Sequence, residues 1–198
     1  MENTMEKKKM GVRDLVNVGI FTVINWALFF VVAFTGFVPV MAVFFTVLLA
    51  FVAGIPNILF FTKTNKFGLV TIMGTLLGLI NFLSGYGPYP LIIGIGCGLI
   101  SDLIMKAGKY KSWKTMLLGY VIFAEWAIGT QLPMFIMGQS YAEMYRASQG
   151  DAFANTLAGL VQGYMVPVVI VSIAIAAVIG AYLGRAVLNK HFKRAGIV

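Results

Sequence analysis

WKTMLLGYVIFAEWAIGTQLPMFI, residues 113–136, decides the fold. The stretch exceeds the ~18 apolar residues that mark a membrane-spanning helix. It carries Lys114 at one end and a single carboxylate, Glu125, near its middle. Read as a crossing, it orients what surrounds it. Lys106, Lys109, Lys111 and Lys114 gather at its start, and the long polar segment 137–159 follows its end. Short cytoplasmic loops carry an excess of Lys and Arg. The start of the stretch is therefore expected inside and the polar segment outside.

Working outward, the same reading gives further apolar stretches at 13–34, 38–61, 67–83, 89–106 and 160–188, six crossings in all. The third is at the short limit for a span. With both termini inside, the inner segments hold Lys7, Lys8, Lys9 and Arg13, then Lys63 and Lys66, then the four lysines already named. Arg185, Lys190, Lys193 and Arg194 complete the set, and Arg146 alone falls outside. The expected fold is an all-α integral membrane protein, a single bundle of six transmembrane helices over residues 1–198 with cytoplasmic N- and C-termini.

Composition agrees. The 198 residues are 60% hydrophobic and 11% charged, with mean hydropathy +0.90. A soluble domain would carry about 25% charged residues. The net charge of +8 calls for no nucleic acid; inner loops lying against anionic lipid headgroups are a sufficient cause. Cys97 is the only cysteine, so no intramolecular disulfide can form. The basic N-terminus precedes an apolar run too long for a signal-peptide core, and a retained first span is expected.

The connections are unequal. Outside, 35–37 is a tight turn at Gly36, with Pro39 opening the next helix. Ser84-Gly85-Tyr86-Gly87-Pro88-Tyr89-Pro90 is rich in turn formers and aromatics. Segment 137–159 has room for a short amphipathic helix over 141–148, and connections of this length are often lids. Inside, the loops are short and basic. Small residues recur four apart at Gly74 and Gly78, Gly94 and Gly98, and Ala176, Gly180 and Gly184. That spacing lets backbones approach closely, either within the bundle or against another membrane subunit.

Polar groups at membrane depth supply the candidate site. An ionised Glu125 would cost at least ~2.5 kcal/mol at mid-bilayer. No Lys or Arg lies at that depth to pair with it. It either lines a polar cavity or serves as interhelical glue, with Asn25 a possible partner. Trp126 and Thr130 share a helical face, and Gln131 and Asn81 lie toward the outside. Pro133 frees the carbonyl of Gly129 and loosens the helix there. Glu125, Thr130 and Gln131 reach one pocket only if the helix is distorted. Tyr86, Tyr89, Tyr141, Tyr145 and Arg146 come from the outer segments. Aromatics with one acid suit a flat or cationic organic molecule, while Arg146 suits an anionic group. Asp102, near an inner helix end, reads as structural.

No metal site is expected, because His191 is the only histidine and lacks a second soft ligand nearby. There is no phosphate-binding Gly-rich loop ending in Lys-Ser/Thr, no HExxH and no Gly-x-Ser-x-Gly. Neither ATP hydrolysis nor other enzyme chemistry is expected, and no cofactor.

The entry Val12-Arg13-Asp14-Leu15-Val16-Asn17-Val18-Gly19-Ile20-Phe21 and the tail from Leu183-Gly184-Arg185 through Lys190-His191-Phe192-Lys193-Arg194-Ala195-Gly196-Ile197 carry a resemblance. With the length, the spans and the basic inner face, the chain resembles the substrate-binding S component of an energy-coupling-factor (ECF) vitamin transporter, and specifically the Trep_Strep family. The resemblance implies capture of a small molecule in an outer cavity capped by outer loops. It also implies docking on a membrane T component driven by two cytoplasmic ATPases. S components typically dock through small residues four apart on the first helix; the first span departs from that pattern and offers at that spacing only Gly19 with Val23, the pair expected to dock, and Asn17 with Phe21. Two other classes compete. A membrane enzyme acting on lipid would need a reactive cluster near a headgroup plane, where only Asp14 and Asp102 are available. A scaffold would make Glu125 glue alone.

Overall fold

The computed structural model describes residues 10–192. Lys7, Lys8, Lys9, Lys193, Arg194 and the rest of the tail through Ile197 lie outside the described residues, as do both termini. Among the described residues there are helices and turns and no strand. The α-helices are α1 (Val12–Ala33), α2 (Pro39–Val52), α3 (Gly54–Lys63), α4 (Leu69–Asn81), α5 (Tyr89–Ala107), α6 (Trp113–Ala124), α7 (Leu132–Met137), α8 (Gln139–Gln149), α9 (Asp151–Leu160) and α10 (Met165–Val187).

Four uninterrupted helical stretches are long and apolar enough to cross a membrane: Val12–Phe37, Leu69–Tyr86, Tyr89–Ala107 and Met165–Lys190. A fifth forms if α2 and α3, bent by 43° at Ala53, count as one crossing. Pro56 explains the bend, since it offers no N–H to the carbonyl of Val52. The stretch 113–136 is helical almost throughout but broken. After α6 it tightens into a 3-10 segment, Glu125–Thr130, then restarts at α7 with Pro133 in its first turn. The expected loosening at Gly129 thus spreads over six residues, about two turns of 3-10 helix, and begins at Glu125.

The helices close a ring. α1 packs on α4, α4 on α5, α5 on α6, α6 on α10, α10 on α2 and α3, and these again on α1. Glycines make the closest seams. Cβ atoms added at Gly74 or Gly94 would overlap the other's carbonyl, and one at Gly78 would lie 2.6 Å from the Leu91 Cα. Gly54 meets Gly180, and Gly184 meets Gly54 and Ile55, backbone to backbone. The small-residue stripes are therefore used inside this bundle, which removes them from the candidates for docking another subunit.

The ring's centre is aromatic. Phe60, Phe61, Tyr120 and Phe123 are fully buried, and Phe61 packs edge-on against both Tyr120 and Phe123. Polar pairs tie this core together. Asn57 Nδ2 donates to Asn25 Oδ1 at 2.7 Å, and Asn25 Nδ2 donates to the Phe21 carbonyl. Asn25 is thus committed to α3, and a bond to Glu125 is not made. Asp102 accepts from the Thr71 hydroxyl and N–H and from Gly68 N–H, closing the start of α4. It is structural as expected, through backbone donors rather than the basic loops.

Candidate functional site

At the end of the ring opposite Lys63 and Arg185, the packing opens. A cavity of about 200 Å³ lies between α2, the α1–α2 turn, the Tyr86 turn, the 3-10 segment and the helices α8 and α9. Local sequence explains each wall. Gly36 and Phe37 turn the chain between α1 and α2. Gly85, at φ 94°, turns it after α4 and presents Tyr86. The cover is a hairpin of two helices where the sequence suggested one. It is framed by Gly138 (φ 55°) and Gly150 (φ 88°), conformations that L side chains rarely adopt. Ala142, Phe153, Ala154 and Leu157 form its buried face.

Five expected residues meet at this cavity: Tyr86, Thr130, Gln131, Tyr141 and Tyr145. Gln131 does more for the fold than for a ligand. Its Oε1 accepts from Thr46 Oγ1 at 2.7 Å, and its Nε2 donates to the Ala42 and Val43 carbonyls at 3.0 and 2.8 Å. It fastens the broken span to α2. Thr130 donates to the Ala127 carbonyl at 2.8 Å and keeps its acceptor capacity. The Tyr141 and Tyr145 hydroxyls lie 3.2 Å apart, so one hydrogen of the pair is free to bind a ligand. Burial, followed by the neighbouring Tyr145, pushes the Tyr141 hydroxyl above its ordinary range, and it stays protonated.

The other expected residues lie elsewhere. Glu125 is half-buried, its Oε2 has no partner among the described residues, and it does not line the cavity. It sits six positions before Gln131. At the 3-10 rise of about 2.0 Å per residue that is roughly 12 Å deeper. Trp126, the next residue, also lies outside the lining, its ring tilted against Phe29 at 6.0 Å; Phe29 in turn meets the cavity walls Phe45 and Tyr86 edge-on. Asn81 is fully buried and spends its amide on the Leu77 carbonyl. Tyr89 opens α5 outside the lining, its backbone close against Gly129. Arg146 is already engaged, with Glu143 on its own helix and with Asp151 and Asn155 on α9. It pins the cover instead of facing the cavity. Gly19 and Val23 lie on the outward face of α1, where Val23 is 62% exposed and the space over Gly19 is open.

Sequence reasoning missed Phe45, Gln149, Phe153 and Met134 in the lining. Phe45 and Met134 look like any span residue. Gln149 and Phe153 carried a signal: they fall four and eight residues after Tyr145, at helical spacing from it. No Lys, Arg, His, Asp or Glu lines the cavity. It can hold a small ring-bearing molecule by stacking and by neutral hydrogen bonds, with Gln149 the amide left uncommitted. Among the described residues no cluster of His, Cys, Asp or Glu could hold a metal ion.

No curated protein and no solved structure matches this chain. A family model does, over residues 12–194, nearly the whole of the sequence. With several helices able to span a bilayer, the chain is a membrane protein, and it belongs to the family described as hypothetical bacterial integral membrane protein (Trep_Strep).

Proposed function

We propose that the protein is the substrate-binding S component of an ECF-type importer. The observation that carries this is the cavity at one end of the ring, roofed by the α8–α9 hairpin and lined by aromatic and neutral polar side chains. A roofed pocket with glycine-framed cover is what capture and release of a small molecule require. The broken stretch 113–136 then counts as one crossing and α2–α3 as another, giving six, with both termini in the cytoplasm and the hairpin outside. The lysine and arginine distribution supports that orientation.

The cavity's chemistry narrows the cargo. With Glu125 below the cavity and Arg146 tied into the cover, neither a cation nor an anion has a fixed countercharge there. The cargo is an uncharged, flat micronutrient that stacks on Tyr86, Tyr141, Tyr145 or Phe45 and exchanges hydrogen bonds with Thr130 and Gln149. The chain itself does no chemistry. Energy comes from a T component and two ATPases, and the exposed α1 face at Gly19 and Val23 is the docking surface.

Mild extraction from the native membrane tests this. A T component and ATPases should co-purify, and denaturing the isolated protein should release one uncharged ring compound identifiable by mass spectrometry. A preparation with neither partners nor released compound, from cells shown to express it, removes the reading.

A further inference from the structure

The opposite end of the ring holds a second pocket, of about 260 Å³, between α3, α6 and the end of α10. Its lining combines two cations, Lys111 and Arg185, with neutral polar Thr62 and Asn189 and apolar Ile58, Met116 and Leu188. Trp113 forms one wall. The Arg185 guanidinium lies over its ring at 4.4 Å, and Tyr182 meets the same ring edge-on at 5.7 Å. Among the described residues neither Lys111 nor Arg185 takes part in an ion pair. Lys66 at the same end, by contrast, is bound to Asp14.

We infer that this pocket binds the phosphoryl group of an anionic phospholipid. The Trp113 ring holds the guanidinium by a cation–π contact, and among the described residues its N–H edge donates no hydrogen bond and is left to bind. That edge matches two phosphate oxygens, and Lys111 supplies a second, movable positive charge. The aromatic pair Trp113 and Tyr182 marks a headgroup level, where amphipathic rings settle. From it an exposed apolar stripe, Tyr182, Ile179 and Ile175, runs along α10 toward the membrane interior. The stripe offers a path for an acyl chain that free phosphate would not use. The inference concerns the fold and its bilayer alone and does not depend on the importer reading.

The test uses the full-length protein in phosphatidylglycerol or phosphatidylcholine nanodiscs at 0.5 M NaCl, where diffuse attraction to the basic face is screened to within a few ångströms. Lipid retained after delipidation is read by native mass spectrometry. Wild-type protein should keep phosphatidylglycerol in preference to phosphatidylcholine. Lys111→Gln and Arg185→Gln should each weaken retention by about tenfold or more, as for loss of a charged hydrogen bond. Arg185→Lys should fall between. Lys106→Gln removes the same charge from outside the pocket, where Lys106 sits over Phe67, and should leave retention unchanged. Equal losses in Lys106→Gln, or none in the pocket variants, overturn the site. Displacement by inorganic phosphate at millimolar concentration would make the ligand free phosphate and overturn the lipid assignment. Unchanged lipid retention with lost co-purification of a protein would make the patch a protein contact and overturn it equally.

Discussion

Along the α4–α5 seam, backbone meets backbone; at the cavity end, side chains face each other across a gap. The seam is built from Gly74, Gly78, Gly94 and Gly98, each with a neighbouring main chain where a side chain would be. The cavity end is built from Tyr86, Phe45, Tyr141 and Phe153, fastened by Gln131 on α2 and by Arg146 within the cover. In a bilayer, apolar side chains gain nothing by leaving lipid for protein, so cohesion must come from close packing and polar contacts. The two regions use these separately: close packing holds the seam and a few polar contacts hold the cavity end. The seam should then fail by steric overlap, and the cavity end by loss of single hydrogen bonds.

Gly74→Leu attacks the seam and should have the largest effect. Its Cβ would overlap the Gly94 carbonyl, and neither backbone can yield without moving a whole helix. Overpacking that side chains can absorb costs ~1–3 kcal/mol; a main-chain clash should exceed that and abolish recovery of monodisperse protein after extraction. Gly96→Leu, on the same seam's α5 but with open space over the glycine, should extract normally. Equal recovery of the two variants would contradict the division between seam and surface.

At the cavity end the matching change is Gln131→Leu. It strands the buried Thr46 hydroxyl without its acceptor and unfastens the broken span from α2. The expected loss is ~1–3 kcal/mol, read as a lowered melting temperature. Thr46→Val added to it should restore part of that loss, because no buried hydroxyl is then left unpaired. Strictly additive losses would mean that the pair does not act as a unit.

How much of this was legible follows from the same contrast. The spans and the close-packing glycines repeat at helical period, so hydropathy and four-residue spacing exposed them. The partners of Gly74 or Gly54 were not readable, since the spacing is identical for an internal seam and an external dock. In the site, Tyr86, Tyr141 and Tyr145 stood out as aromatics in outer segments, and they meet at the cavity. Glu125 stood out more and does not. Its prominence came from desolvation cost, which depends on depth alone and says nothing of direction. The break at Glu125–Thr130 was only half visible: Pro133 signalled it, but nothing local announced that the 3-10 geometry starts eight residues earlier. Asn25 looked available for Glu125 because Asn57, its real partner, is 32 positions away.

Arg146→Gln probes the cover with a smaller effect. Arg146 joins α8 to α9 across Gly150 through Asp151 and Asn155, and these groups are exposed, so global stability should hardly change. Protease cleavage near Gly150 should become a few-fold faster, as the hairpin opens locally. Arg146 also holds the Glu143 carboxyl below its ordinary range. A depressed folded-state value means that the contribution is present above the ordinary carboxylate range and lost as pH falls through the lowered one. The Glu143 contribution to α8, read as its local protection from exchange, should therefore stay level from neutral to mildly acidic pH and decline only in stronger acid. In Arg146→Gln that acid-dependent step should disappear; its persistence would assign the step to other groups.

The smallest effect is expected where the sequence alone drew most attention. If Glu125 met the cargo, replacing it by Gln would remove a charged hydrogen bond and weaken binding by more than about tenfold. The carboxyl does not line the cavity, and its Oε2 bonds to nothing among the described residues. Glu125→Gln keeps the side chain's shape in that half-buried place and cuts no observed contact. Affinity for the compound released from purified protein should thus stay within about twofold of wild type, well under one kcal/mol. Tyr141→Ala, measured beside it, should lose binding, since it removes both a stacking ring and the Tyr145 partner. A tenfold loss in Glu125→Gln with Tyr141→Ala unaffected would place the cargo against the broken span's lower turn, and the cavity under the hairpin would no longer be the binding site.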